Sequence, residues 1–146
     1  MERRTHYGWV FATGLALAIF VAGPEPARSE TAHPVYDQLT PENCVLLLID
    51  FQPQYAFSTR SLPIDSIVNN AQALAKSARV FNVPTVITTI TAKSFAGPLL
   101  ADLQAVNPEL KPLDRTVINA WADSRVRNAM TATGRKKLVI DGPTTA

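Results

Sequence analysis

Among the side chains able to accept a proton or hold an anion, Asp50 has the most telling position. It stands at the end of the apolar run VLLLIDF (Val45–Phe51). A bare buried carboxylate is costly, so an acid here either faces a crevice or is paired. The first alternative makes it a proton acceptor; the second makes it a structural carboxylate that caps a helix or binds an arginine. Arg115 lies between apolar segments and is a candidate partner for Asp50, though arginines are most often surface residues. Lys93 follows a second β-branched run and reads chiefly as an exposed loop lysine. Asp141 ends the run LVID and precedes a glycine, which suits either a site acid or an ordinary turn. Trp121 is expected in the core or on a crevice wall.

The missing residues narrow the chemistry further. The two histidines, His6 and His33, both precede the globular part, so Ser-His-Asp, Cys-His and His-ligated metal sites are not expected. Neither a metal nor a cofactor is expected. The single cysteine, Cys44, lies at the start of the first apolar run, at the opposite pole from Asp50, and reads as a small buried filler. The ending GPTTA offers no G-x-G-x-x-G or G-x-x-x-x-G-K-[ST] phosphate cradle. A net charge of +2 without a basic run gives no electrostatic basis for nucleic-acid binding, and a small molecule is the expected ligand.

These residues need elements to bring them together. VLLLIDF is apolar without alternation, as in a strand covered on both faces of a parallel sheet. After Pro63, apolar residues at 64, 67, 68, 71, 74, 75, 78 and 81 follow helical spacing, and Val83-Pro84 ends the helix. PTVITTIT (Pro84–Thr91) reads as the second strand. LLADLQAV is a short helical stretch, and Thr116–Asn119 a possible short strand. Asp123 caps a helix running through Thr133, which Gly134 stops, and Leu138–Ile140 is the last strand. The alternation predicts an α/β fold: a doubly wound, Rossmann-like parallel sheet with helices on both faces. In such sheets ligands bind at the carboxyl ends of the strands, where Asp50, Thr91 and Asp141 would arrive.

Residues 1–32 form a separate object, a short basic start and an apolar run from Gly8 to Gly23. The run is shorter than the about 20 residues a bilayer span needs and fits the core of a signal peptide. Export to the periplasm or medium is the expectation, with an uncleaved membrane anchor as the alternative. Residues 33–43 lead into a domain over 44–146.

Taken together, NCVLLLIDFQ, FNVPTVITT, TAKSFAGPLLADL, DRTVINAW and GRKKLVIDGPTT resemble the isochorismatase-like cysteine hydrolases, in particular their YcaC-like branch. The resemblance covers roughly residues 41–145. It implies a six-stranded parallel sheet in the order 3-2-1-4-5-6, a homo-oligomer, and hydrolysis of amide or other C–N bonds by an Asp, a basic residue and a Cys. Asp50 and Arg115 match the first two. The Cys belongs a few residues after LVIDG, and the sequence reaches Ala146 without it. The resemblance also places an oxyanion hole, with a cis peptide, at Thr144–Thr145. The expectation is therefore an N-terminal fragment of such a hydrolase, its sheet incomplete at the C-terminal side and inactive by itself. The alternative is a non-catalytic α/β module that associates through its open sheet edge or binds a small ligand.

Overall fold

The structure, a computed structural model, describes residues 38–143. The expected leader, the first part of the lead-in segment, and Thr144 and Thr145 lie outside the described residues. Four parallel strands make one sheet: β1 (Cys44–Ile49), β2 (Thr85–Ile90), β3 (Leu113–Arg115) and β4 (Lys137–Asp141). Their spatial order is β3-β2-β1-β4, so β1 has a neighbour on each side. This agrees with the first four positions of the order implied by the resemblance.

The unbroken apolar run of β1 follows from what covers it. Side chains alternate across a strand, and here both faces are dry. Leu46 and Leu48 pack with α2 (Ile64–Val80) and α3 (Ala101–Val106) through Ile67, Ala71, Ala75, Ala78, Leu103 and Val106. Val45 and Leu47 pack on the other face against Val126 and Met130 of α4 (Ser124–Ala132). The buried alanines of α2 lie at one-turn spacing, which leaves that helix face flat toward the sheet.

The helix ends follow local rules. The C-terminus of α2 is a Schellman motif: Val83 N donates to Ala78 O at 2.8 Å and Asn82 N to Arg79 O at 3.2 Å, with Asn82 at φ 55°. Val83-Pro84 then starts the extended chain toward β2, as expected. At α4, Asp123 Oδ1 accepts from Arg125 N at 2.8 Å, the predicted cap, and bonds from Arg125 hold the Asp123 carboxyl down at about 2. Gly134, at φ 68°, follows the helix as its stop.

Two expectations are corrected. The third strand is Leu113–Arg115, not Thr116–Asn119. Asp114 fixes this register by accepting from Thr89 Oγ1 at 3.1 Å and Ala92 N at 3.0 Å, which ties β3 to the end of β2. The β-branched residues after it are on the surface, with Ile118 89% exposed, so strand propensity there serves no ladder. The first strand also ends earlier than Phe51: Asp50 turns into the left-handed region at φ 57°, and a short helix, α1 (Pro53–Ser58), follows that the sequence does not foretell.

Leu48 is 0% exposed at the centre of the sheet, whereas Leu138 on the edge strand β4 is 40% exposed. Leu48→Ala is expected to lower unfolding free energy by about 2–5 kcal/mol in urea titrations, and Leu138→Ala by clearly less. Equal losses would contradict this assignment of core and edge.

Candidate active site

Register decides what meets at the carboxyl end of the sheet. Ile49 is level with Thr88, and Ile90 with Arg115, so the residue after β1 and the last residue of β3 reach the same end with Thr88 between them. Asp50 N still donates to Thr88 O at 3.1 Å, and the backbone then swings away from the ladder. Asp50 Oδ2 accepts from Arg115 Nη2 at 2.5 Å, and Thr88 Oγ1 lies 3.4 Å from Oδ1. The sequence allows this carboxylate to be either catalytic or structural; the structure makes it Arg115's partner at the mouth of the sheet.

Both partners are largely removed from water. Arg115 is 1% exposed and Asp50 9%. Arg115 Nη1 donates to Val117 O at 2.5 Å, but Arg115 Nε has no hydrogen-bond partner among the described residues. Burial pushes the Asp50 carboxyl above the usual carboxylate range, against the pull of the Arg115 charge and the bonds from Arg115 and Thr88; the charge of Asp114 adds to the rise. An acid of raised pKa is a stronger base when ionised, which suits it to collect a proton from a thiol or a water.

The other candidates separate. Trp121 is 47% exposed and joins Arg115, Leu47, Ile118 and Ile140 around a hollow of about 380 Å³; it is a wall rather than core. Asp141 ends β4 half-buried, its carboxyl pushed up by burial. Lys93 is an exposed residue of the turn after β2. Cys44 is the first residue of β1, buried, and lines an apolar cavity of about 230 Å³ with Leu39, Leu74 and Phe81 at the other pole. At about 3.3 Å of rise per residue, β1 sets it roughly 20 Å from Asp50. Sequence reasoning missed Gln52, which is fully buried past the end of β1 and bonded to Ile90 at the end of β2; its only signal was an amide two residues past a strand-end acid.

The isochorismatase domain profile matches residues 44–146. The chain belongs to the isochorismatase family. It is 35% identical over 111 residues to the probable hydrolase YcaC of Escherichia coli K12, covering 75% of this chain and 53% of that protein. The crystal structure of the E. coli YcaC product, an octameric hydrolase of unknown specificity, aligns with a TM-score of 0.69 at 35% identity over 73% of this chain and 53% of that one. YcaC from Pseudomonas aeruginosa, solved with hexane-2,5-diol and covalent acrylamide, also gives 0.69 and 35%, over 73% of this chain and 54% of that one. A ribonuclease from Caenorhabditis elegans, 18% identical with a TM-score of 0.51 over 75% of this chain and 70% of its own, shares the fold alone. The chain thus spans about half the length of the YcaC relatives.

Arg115→Met removes the cation beside a buried carboxylate. The Asp50 carboxyl should then titrate at still higher pH, read by carbon-detected NMR. Because protonation relieves the unpaired charge, the variant's stability loss, about 3–5 kcal/mol at neutral pH, should shrink as pH falls through that raised midpoint. An unmoved midpoint would mean that the guanidinium does not act on Asp50.

Proposed function

We propose that this chain supplies the acid and the guanidinium of a hydrolase site that opens amide or other C–N bonds of a small molecule through a cysteine thiolate. The observation carrying this reading is the buried Asp50–Arg115 pair, 2.5 Å apart at the carboxyl end of the sheet. Asp50 takes the thiol proton; the thiolate adds to the carbonyl carbon. The C–N bond breaks as Asp50 returns the proton to the leaving amine, and water then releases the acid from the thioester. Arg115 offsets negative charge beside the nucleophile, as a cation must if a thiol of ordinary pKa about 8.5 is to react at neutral pH. Backbone N–H groups at Thr144–Thr145 are proposed to hold the oxyanion, and Trp121 to wall the acyl side. The covalent acrylamide in the P. aeruginosa relative supports the reading, since a thiolate adds readily to such an electrophile.

Cys44 is at the wrong pole to be that thiol, and the nucleophile of the proposed site is taken from outside residues 1–146. By itself the chain is therefore expected to hydrolyse no amide. The test is a chimera in which the part of the E. coli relative that follows the matched region is fused after Ala146. It should form a thiol-linked acyl-enzyme with simple amides and elute as a homo-oligomer. Asp50→Asn in the chimera should slow acylation by about 10²-fold or more. Acylation at an unchanged rate in that variant would overturn the role given to Asp50.

A further inference from the structure

Asp50 reaches Arg115 only because its backbone leaves the sheet, and that departure would strip β2 of ladder partners. In a parallel pair the bonds from one strand to its neighbour recur at every second residue. Leu46 N donates to Pro84 O at 2.9 Å and Asp50 N to Thr88 O at 3.1 Å, so the next partner of β1 falls at Ile90. No backbone atom of β1 takes it. Gln52 does so with its side chain: Oε1 accepts from Ile90 N at 2.8 Å and Nε2 donates to Ile90 O at 3.0 Å. The amide thus presents one acceptor and one donor to a single residue, in place of the two successive backbone groups that a continued parallel strand would offer. The same Nε2 donates to Gly97 O at 2.5 Å, and Gln52 N donates to Asp50 O at 2.7 Å.

We infer that Gln52 is a positioning residue for Asp50: its carboxamide stands in for the backbone C=O and N–H that a continued β1 would offer to Ile90, so that Asp50 can turn to φ 57° and aim its carboxylate at Arg115 without orphaning Ile90. The alternative costs are physical. A non-glycine residue in the left-handed region persists only when its surroundings hold it there. An orphaned buried peptide group costs about 1–3 kcal/mol, and Ile90 would contribute both its N–H and its C=O. Because Gln52 is 0% exposed, water cannot replace these bonds. The side chain also accounts for the course of the loop after β2. Gly97 O is the third partner of the amide, and Leu100 N returns to Phe51 O at 2.9 Å. The segment carrying Asp50 is therefore clamped from both sides.

That Asp50 acts as a proton carrier rests on the reading above; the positioning does not. The experiment is NMR on the full 146-residue chain and its Gln52→Met variant, which keeps the volume and removes the hydrogen bonds. In the wild type, the Gln52 side-chain N–H should show a through-hydrogen-bond coupling to the Ile90 carbonyl, and the Ile90 amide should exchange slowly. In the variant, Ile90 exchange should accelerate at least about tenfold relative to Leu47. The Asp50 carboxyl, whose charged neighbours are Arg115 and Asp114, should move down toward the ordinary carboxylate range as its turn opens to water. A merely structural amide would lower stability and leave the Asp50 titration and backbone shifts in place, which would overturn the inference. If Gln52→Met does not fold, Gln52→Glu decides: protonated at low pH the new acid can both donate and accept, so Ile90 protection should return on acidification. Protection that is independent of pH, or a wild-type Gln52 amide that exchanges freely, would also overturn it.

Discussion

Arg115 is the bulkiest fully buried side chain among the described residues, and a guanidinium is a cation. Taking that charge out of water is expensive unless a partner offsets it, and the partner here is a single carboxylate at 2.5 Å with one backbone carbonyl beside it. Much of the architecture around the carboxyl end of the sheet can be derived from this constraint. The third strand must end where Arg115 can reach across β2, the first strand must release Asp50 from its ladder, and Thr88 between them must be small and polar. Apolar residues of equal volume would give comparable or greater stability. The pair is better understood as a device for holding a basic carboxylate and a spare N–H donor in a defined place.

That place is mainly apolar. The hollow next to Arg115 is walled by Leu47, Ile49, Ile118, Leu138 and Ile140, with Asn119 as a second polar residue and Trp121 about half exposed. Electrostatic interactions strengthen as water is excluded, so the Arg115 cation in this largely apolar lining, paired with Asp50, can do what it could not do on an open surface. The raised affinity of Asp50 for its proton and the lack of a partner for Arg115 Nε among the described residues come from the same incomplete solvation. Structure and chemistry meet here: Asp50 and Arg115, neither fully satisfied by the fold, are the groups the proposed reaction uses.

Much of this was legible in the sequence, and the parts that were not have physical reasons. VLLLIDF announced a strand covered on both faces because an apolar run without alternation leaves no polar face to turn toward water. The helix from Ile64 was visible in its periodicity, and the α4 cap in Asp123. Asp50 stood out because an acid ending such a run is anomalous. The partner was harder, since nothing local distinguishes Arg115 from a surface arginine; only strand register, and the resemblance to a family, joined it to Asp50. Thr116–Asn119 misled because β-branched residues were weighed by propensity, whereas Asp114 sets the register through side-chain bonds to β2. Gln52 was invisible for a deeper reason. Its role is to imitate a backbone, and no composition or spacing rule reveals which peptide group a side chain replaces.

Asp50 and Arg115 must act as a unit rather than as two polar residues that happen to be near. A double-mutant cycle with Asp50→Asn and Arg115→Met, read by urea unfolding at neutral pH, measures that directly. The prediction is that the double variant is markedly more stable than the sum of the single losses allows, with a coupling of at least about 1.5 kcal/mol as found for close buried charge pairs. Losses that simply add, leaving a coupling near zero, would contradict it.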